Sequence, residues 1–230
     1  MDKDLIKKIH DRKHYYENIA CFEKHLDKYF ESDETTAFHE LLSLDFHLDV
    51  YFIQPKDKKF NILITSGMSL LEMQVPETVK NRENYLFAEL MLLIPKDLEF
   101  DKTFPNKEGN KNAWLIDMIK QTARFPHHND TFLTEGHTLQ AWSEIEEPYD
   151  KNTNFVGCIL LPSATFDEDF MQIICDAGKI NIYSLFPLYK NELEYKIENG
   201  YGKFFDLLIE NNVKEVFDNN RKNLLATEKT

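Results

Sequence analysis

Leu5, Ile9, Tyr16, Ile19, Phe22, Leu26 and Phe30 recur at three- and four-residue steps. This spacing puts them on one face of a long opening helix, with its apolar stripe turned to a core. After the acidic turn "ESDETT" the period changes to two. In "LDFHLDVYFIQP", Phe46, Leu48, Val50 and Phe52 alternate with Asp45, His47, Asp49 and Tyr51, which predicts a strand with one solvated face, ended by Pro55. "KFNILIT" and "LFAELMLLIP" read as further strands. The second is nearly continuous in apolar residues, as expected of a strand buried on both faces near the centre of a sheet. "SGMS" between them supplies a glycine turn.

From Asn112, a candidate N-cap, "AWLIDMIKQTAR" places Trp114, Met118 and Thr122 on one ridge with Leu115, Ile119 and Ala123 beside it, the pattern of a helix packed on a sheet. Pro126 disfavours helical geometry at Phe125, and Arg124 in the last turn complements the negative end of the helix dipole, so this helix is expected to stop there. "HTLQAW", "NFVGCILLP" and "KINIYSLFPL" read as later strands. "KNELEYKIENG" and "YGKFFDLLIENN" read as helices broken at Gly200 to Gly202. The order predicts an α+β fold, a mixed central β-sheet packed with α-helices. No repeat or Pro/Gly-rich linker interrupts it, so residues 1–230 are expected to form a single domain with its core at about 46–220 and a short flexible tail after Arg221.

Eighteen Phe and ten Tyr supply ring area for a substantial core. Forty acidic against 27 basic residues give a formal charge of -13, which repels phosphate backbones and anionic lipid and attracts cationic partners. Nucleic acid and membrane are therefore not expected ligands. Cys21, Cys158 and Cys175 form no CxxC pair and cannot all be bridged within one chain, so they are expected to be buried thiols in a reducing compartment. "MDKDLIKKIH" has charges where a secretion signal needs an apolar block, and runs such as "LMLLI" fall far short of the ~18 residues that span a bilayer. A cytoplasmic protein is expected.

Candidate chemistry concentrates in "RFPHHNDTFLTEGHTL", Arg124 to Leu139. His127 or His128, His137 and either Asp130 or Glu135 would supply three zinc ligands with an open position for water, the set needed by a metal-dependent hydrolase using the loop 127–137. The spacing argues against it, because these histidines are separated by a loop and a strand start, whereas HExxH fixes two ligands on one helix face. No stoichiometric zinc and no other cofactor is expected. Neither Cys158 nor Cys175 has a recognisable histidine nearby, and Ser66 and Ser69 in "TSGMS" lack the strand-elbow-helix context of a nucleophile. That stretch also lacks the glycines and lysine of a phosphate loop, so it reads as a turn. In "HHNDTFLTEGH", Asn129, Asp130 and Thr131 suit side-chain to backbone turn contacts while Phe132 and Leu133 anchor to the core, and His137 suits a buried, hydrogen-bonded ring.

Taken in order, "ILITSGMS", "AELMLLIP", "QTARFPHHNDTFLTEGHTL", "FVGCILLP" and "INIYSLFPLYKNELEYK" resemble the suppressor-of-fused domain family from about Val50 to Asn199. The chain departs from that pattern at Leu98, where Trp is expected, and at Tyr149, where Phe is commoner; both read as packing variations. Ending soon after the last helix, it resembles the compact bacterial branch. The resemblance implies a protein-binding module and not an enzyme: animal members sequester a transcription factor, and bacterial members look like immunity proteins that neutralise delivered toxins. On that reading His127, His128, Asp130, Thr131, Glu135 and His137 form a structured recognition loop for a cognate toxin domain, such as a basic nuclease. The acidic runs "ESDE", "SEIEEPYD" and "FDEDF" would be solvated faces that steer such a partner.

Overall fold

Over residues 15–39, 46–100 and 110–226, which the computed structural model describes, the chain runs α1 (Tyr15–Leu26), β1 (Thr35–Phe38), β2 (Asp49–Ile53), β3 (Phe60–Ser66), β4 (Phe87–Pro95), α2 (Ala113–His128), β5 (Thr138–Gln140), β6 (Gly157–Leu161), α3 (Glu168–Met171), β7 (Gln172–Cys175), β8 (Gly178–Leu188), α4 (Lys190–Asn199) and α5 (Tyr201–Glu210). The strands form one sheet in the order β1-β2-β3-β4-β8-β6-β5, with β7 paired to the first part of β8. β4 and β8 run parallel, and the other pairings are antiparallel. This is the mixed α+β sheet expected from the order of elements.

Both faces are covered, which explains the apolar run of β4. Ala88, Leu90, Leu92 and Ile94 join a cluster with Leu48, Val50, Leu63 and the α2 residues Trp114, Leu115, Met118 and Ile119. The intervening Phe87, Met91 and Leu93 join Phe22 and Leu26 of α1, with Ile53, Ile62 and Ile182, on the other side. A third cluster sets Leu193 of α4 and Phe204 and Leu208 of α5 against Ile159, Phe186 and Leu188. The expected solvated face of β2 is corrected by α1. Asp49 and Ile53 are buried, and Tyr51, half-buried, donates to Glu23 of α1 at 2.7 Å. Ile19, Phe22, Leu26 and Phe30 of the opening stripe pack as expected, whereas Leu5 and Ile9 lie outside the described residues.

α2 runs past the position where Pro126 was expected to end it. Only one intrahelical bond is lost to the proline so near a C-terminus, and the end is closed otherwise. Asp130 adopts the left-handed conformation at φ 47°, and the Thr131 N–H donates to the Pro126 carbonyl at 3.0 Å, a Schellman-type bond with Asp where glycine is usual. His127 and His128 thus stand in the last helical turn, favourably placed at the dipole's negative end. Asn112 precedes α2 but makes no side-chain cap; its amide donates to the Glu99 carbonyl at 2.9 Å.

Among the described residues two carboxylates are wholly buried. Glu89 of β4 accepts from the Thr65 and Ser69 hydroxyls (both 2.6 Å) and from the N–H groups of Gly67, Met68 and Ser69 (3.0, 3.3 and 2.9 Å). "TSGMS" is therefore a turn wrapped around a carboxylate. Burial pushes the Glu89 carboxyl up, against the downward pull of its donors. Glu192 of α4 is held by the Arg221 guanidinium, whose Nη1 donates at 2.7 Å and whose Nη2 donates to the other oxygen, and by the N–H groups of Tyr189 (3.1 Å) and Leu224 (3.0 Å). Arg221 lies over the rings of Phe155, Phe186 and Tyr189 at 4.8–5.0 Å. The segment after Arg221 is thus tied back, and Asn191 donates to the Leu225 carbonyl at 2.7 Å.

The expectation of three buried thiols is also corrected. Cys21 of α1 and Cys175 of β7 form a disulfide, and Cys158 alone remains a buried thiol. The Cys21–Cys175 pairing was not readable from spacing, because it joins residues 154 positions apart. Among the described residues no helix is long and apolar enough to cross a membrane.

Candidate binding surface

The polar stretch is built as a series of local attachments to the framework. His127 is half-buried, with its ring edge-on to Phe46 at 5.1 Å and Nε2 3.1 Å from the Met68 carbonyl oxygen. His128 and Asp130 are exposed. The Thr131 carbonyl accepts from the Gln74 N–H at 2.9 Å, and Leu133 enters the core at 2% exposure. Glu135 accepts from the Tyr201 hydroxyl at 2.5 Å. Beside it Gly136 has φ 80°, and a Cβ there would lie 2.7 Å from the Tyr201 ring, so only glycine lets α5 approach this closely. His137 packs edge-on to Phe132 at 5.2 Å, and burial lowers the pKa of its half-buried ring.

These residues share a loop but not a focus. His127 looks to Phe46 and Met68, Glu135 to Tyr201, and His137 to Phe132. Among the described residues, the grouping of three metal-ligand side chains within 4.8 Å of one another is His39, His47 and Asp49, outside this loop. Sequence reasoning missed that group, although the alternation of "FHLDVYF" already placed His47 and Asp49 on one face. The nucleophile candidates are occupied or inert. Ser66 and Ser69 are buried, Ser69 donates to Glu89, and burial raises the pKa of the Cys158 thiol.

Concave surface is found on another flank. A cavity of about 440 Å³ lies among Phe155, Phe186, Val213, Phe217, Arg221 and Leu224. A second, of about 390 Å³, shares Phe186 and Val213 with it and continues along Phe205, Leu208 and Ile209 to Pro162 and Ser163. A third, of about 280 Å³, shares Pro162 and Ser163 and is lined by Glu135, Asp167, Glu168 and Tyr183. Through these shared residues the three follow one another as a trough: its middle stretch, along α5, is apolar beside Lys214, its far end sets Arg221 and Lys222 beside Phe155 and Phe217, and its other end is acidic at Glu135, Asp167 and Glu168. Ile209 stands 60% exposed on its wall, a large apolar side chain left in water. Of the six loop residues expected to contact a partner, Glu135 is the one that lines the trough. No spacing signal marks the trough in the sequence, because its walls come from β6, β8, α5 and the segment beyond.

A mixed sheet sheathed on both faces, with a preformed trough along one flank, defines an α+β domain with the architecture of a binding module. The chain belongs to the Suppressor of fused protein (SUFU) family, whose model matches residues 45–222. Membership supports a protein-binding module. Among solved structures, a putative SUFU homolog from Neisseria gonorrhoeae is similar at TM-score 0.63 and 13% identity, over 90% of this chain and 97% of that one. A chain of the Sufu–Fu complex is similar at TM-score 0.58 and 12% identity, over 90% of each chain. Drosophila Suppressor of Fused is similar at TM-score 0.58 and 12% identity, over 91% of this chain, which spans 50% of that one. No curated protein matches the sequence. Leu98 and Tyr149, partly buried, both pack against the α2 cluster, and Tyr149 stacks on Trp114 at 5.8 Å.

Proposed function

We infer that the chain is an immunity protein that neutralises a cognate bacterial toxin domain by direct binding, without catalysis. The observation that carries this reading is the trough, whose apolar middle offers Ile209 and whose Glu135 end is acidic. A cationic partner, such as a basic nuclease, meets there both an anchor pocket and a complementary field, in a chain of charge -13. Membership of the SUFU family supports it, as does the occurrence of the same fold in a Sufu–Fu complex. Glu135 offers an exposed polar contact in the trough and His128 and Asp130 exposed polar groups at the end of α2, while His127, Thr131 and His137 hold the loop in shape. An interface of this class buries about 1,200–2,000 Å², with a few anchors carrying most of the affinity. A cytoplasmic site of action, expected from the cysteine count, is weakened by the Cys21–Cys175 bridge, since disulfides persist in oxidising compartments.

The test is co-expression with the toxin domain encoded beside this chain, scored as survival, followed by association kinetics at two salt concentrations. Wild type is expected to protect. Ile209→Glu is expected to lose protection while folding normally, because its side chain is already in water. Raising salt should slow association far more than it speeds dissociation, the mark of steering by the acidic end. Failure of wild type to protect removes the immunity reading. Protection by Ile209→Glu at full strength moves the interface away from the trough.

A further inference from the structure

We propose that His39, His47 and Asp49 form a binding site for a divalent first-row transition-metal ion, zinc being the test case, at the β1–β2 edge of the sheet. The site follows from register. β1 and β2 pair antiparallel with Thr35 opposite Ile53 and Phe38 opposite Val50. One residue further on, His39 falls opposite Asp49, and His47, two residues before Asp49, shares its face. The side chains converge accordingly. His39 Nδ1 lies 2.8 Å from Asp49 Oδ2, His47 Nε2 lies 2.9 Å from Asp49 Oδ1, and the ligand atoms of all three fall within 4.8 Å of one another.

Two imidazole nitrogens and one carboxylate make a borderline donor set that suits zinc, iron, cobalt or nickel, and leaves positions open for water. Tetrahedral zinc ligands at ~2.1 Å stand about 3.4 Å apart, so the 2.8 and 2.9 Å contacts, which now run from the two rings to the two different oxygens of Asp49, need to open by only about half an ångström to admit the ion. The framework is already rigid. Asp49 begins β2 opposite Ser66, and its side chain is only 9% exposed. The backbone carbonyl of His47 would lie 2.3 Å from a Cβ on Gly67, so the φ 131° glycine is what admits the His47 backbone there. The histidine side chains, at 67% and 46% exposure, leave a path for the ion. Coordination uses the ring nitrogens that now face Asp49, and each ring's N–H moves to its outer nitrogen. The ion would clip the end of edge strand β1 to the start of β2. Sequence spacing within 127–137 argued for a metal-free chain, but this set assembles across a strand pair, which spacing does not reveal.

Calorimetric titration of chelator-treated, untagged full-length protein with zinc chloride tests the proposal, with cobalt(II) absorption reporting the ligand geometry. One equivalent is expected to bind at micromolar concentration or tighter and to raise the melting temperature. His39→Ala and His47→Ala should each weaken binding by at least about tenfold. Because His39→Ala also removes the 2.8 Å bond to Asp49, each variant is judged by the zinc-induced shift from its own metal-free melting temperature. His128→Ala, in the loop, should bind as wild type does. No binding below millimolar zinc, or binding unchanged in both His39→Ala and His47→Ala, overturns the site.

Discussion

Glu89 and Glu192 are equally removed from water, yet they are satisfied by opposite means. Glu89 is held by neutral donors, two hydroxyls and three backbone N–H groups from residues 65–69. Glu192 is held by a cation from 29 residues away, forked onto both oxygens, with two backbone N–H groups completing the shell. The first arrangement shapes a local turn on the adjacent strand β3 and needs no countercharge, and burial raises its pKa. The second joins α4 to the end of the chain and makes one wall of the trough. A buried carboxylate can thus organise its own neighbourhood through dipoles or recruit a distant segment through charge, and the consequences of breaking the two differ.

The largest effect is expected from Arg221→Ala, which leaves Glu192 buried without its cation and should cost about 3–5 kcal/mol in urea unfolding. Arg221→Lys should recover only part, because an ammonium can neither fork onto both oxygens nor stack flat against Phe155, Phe186 and Tyr189. If Arg221→Ala is no worse than a Glu89 variant, the distinction between the two carboxylates fails.

Glu89→Gln should cost less, about 1–3 kcal/mol, because an amide N–H₂ is set against some of the five donors. Its pH dependence sharpens the comparison. Burial lifts the folded value above the ordinary 4.5, so the unfolded chain ionises first. The contribution of the protonated form is then present below 4.5 and is lost as pH rises toward the raised value. Wild-type stability relative to Glu89→Gln should therefore decline from pH 4.5 upward, and a flat difference would refute the raised carboxyl.

The smallest effect concerns the polar loop. His137→Ala is expected from the sequence to exceed His127→Ala, on the premise that His127 lies on an exposed loop; α2 removes that premise. With His127 bonded to the Met68 carbonyl and packed on Phe46, we expect both variants to cost about 1 kcal/mol. Thermal melts that separate them widely would show that one contact dominates the loop.

What the sequence discloses follows from where the stabilisation originates. β3, β4, β6 and β8 are legible because burial on both faces makes their composition apolar. β1 and β7 are not, since "TTAF" and "QIIC" become strands through hydrogen bonds to β2 and β8, and their partners' register is invisible in a linear reading. The end of α2 was misplaced because the proline rule at Phe125 is local, and the closure through Asp130 outweighs it. Glu89 did carry a signal, as the single charge inside "AELMLLI". Arg221 carried none. Its rings and its carboxylate lie 29 or more residues away, in a stretch that otherwise reads as a polar tail. For the candidate site, the loop and its Phe132 and Leu133 anchors were legible, while the trough and the His39–His47–Asp49 group needed strand order and pairing.

The bridge between Cys21 and Cys175 closes most of the chain into a single covalent ring that contains strands β1 to β7 and helices α2 and α3. Proteolytic nicking inside that ring, for instance in the exposed Ser143–Glu147 turn, therefore opens the ring without releasing a fragment. The nicked chain should travel as one species on a denaturing gel until a thiol is added, then separate in two. Gel mobility alone, read without reductant, would miss the cut.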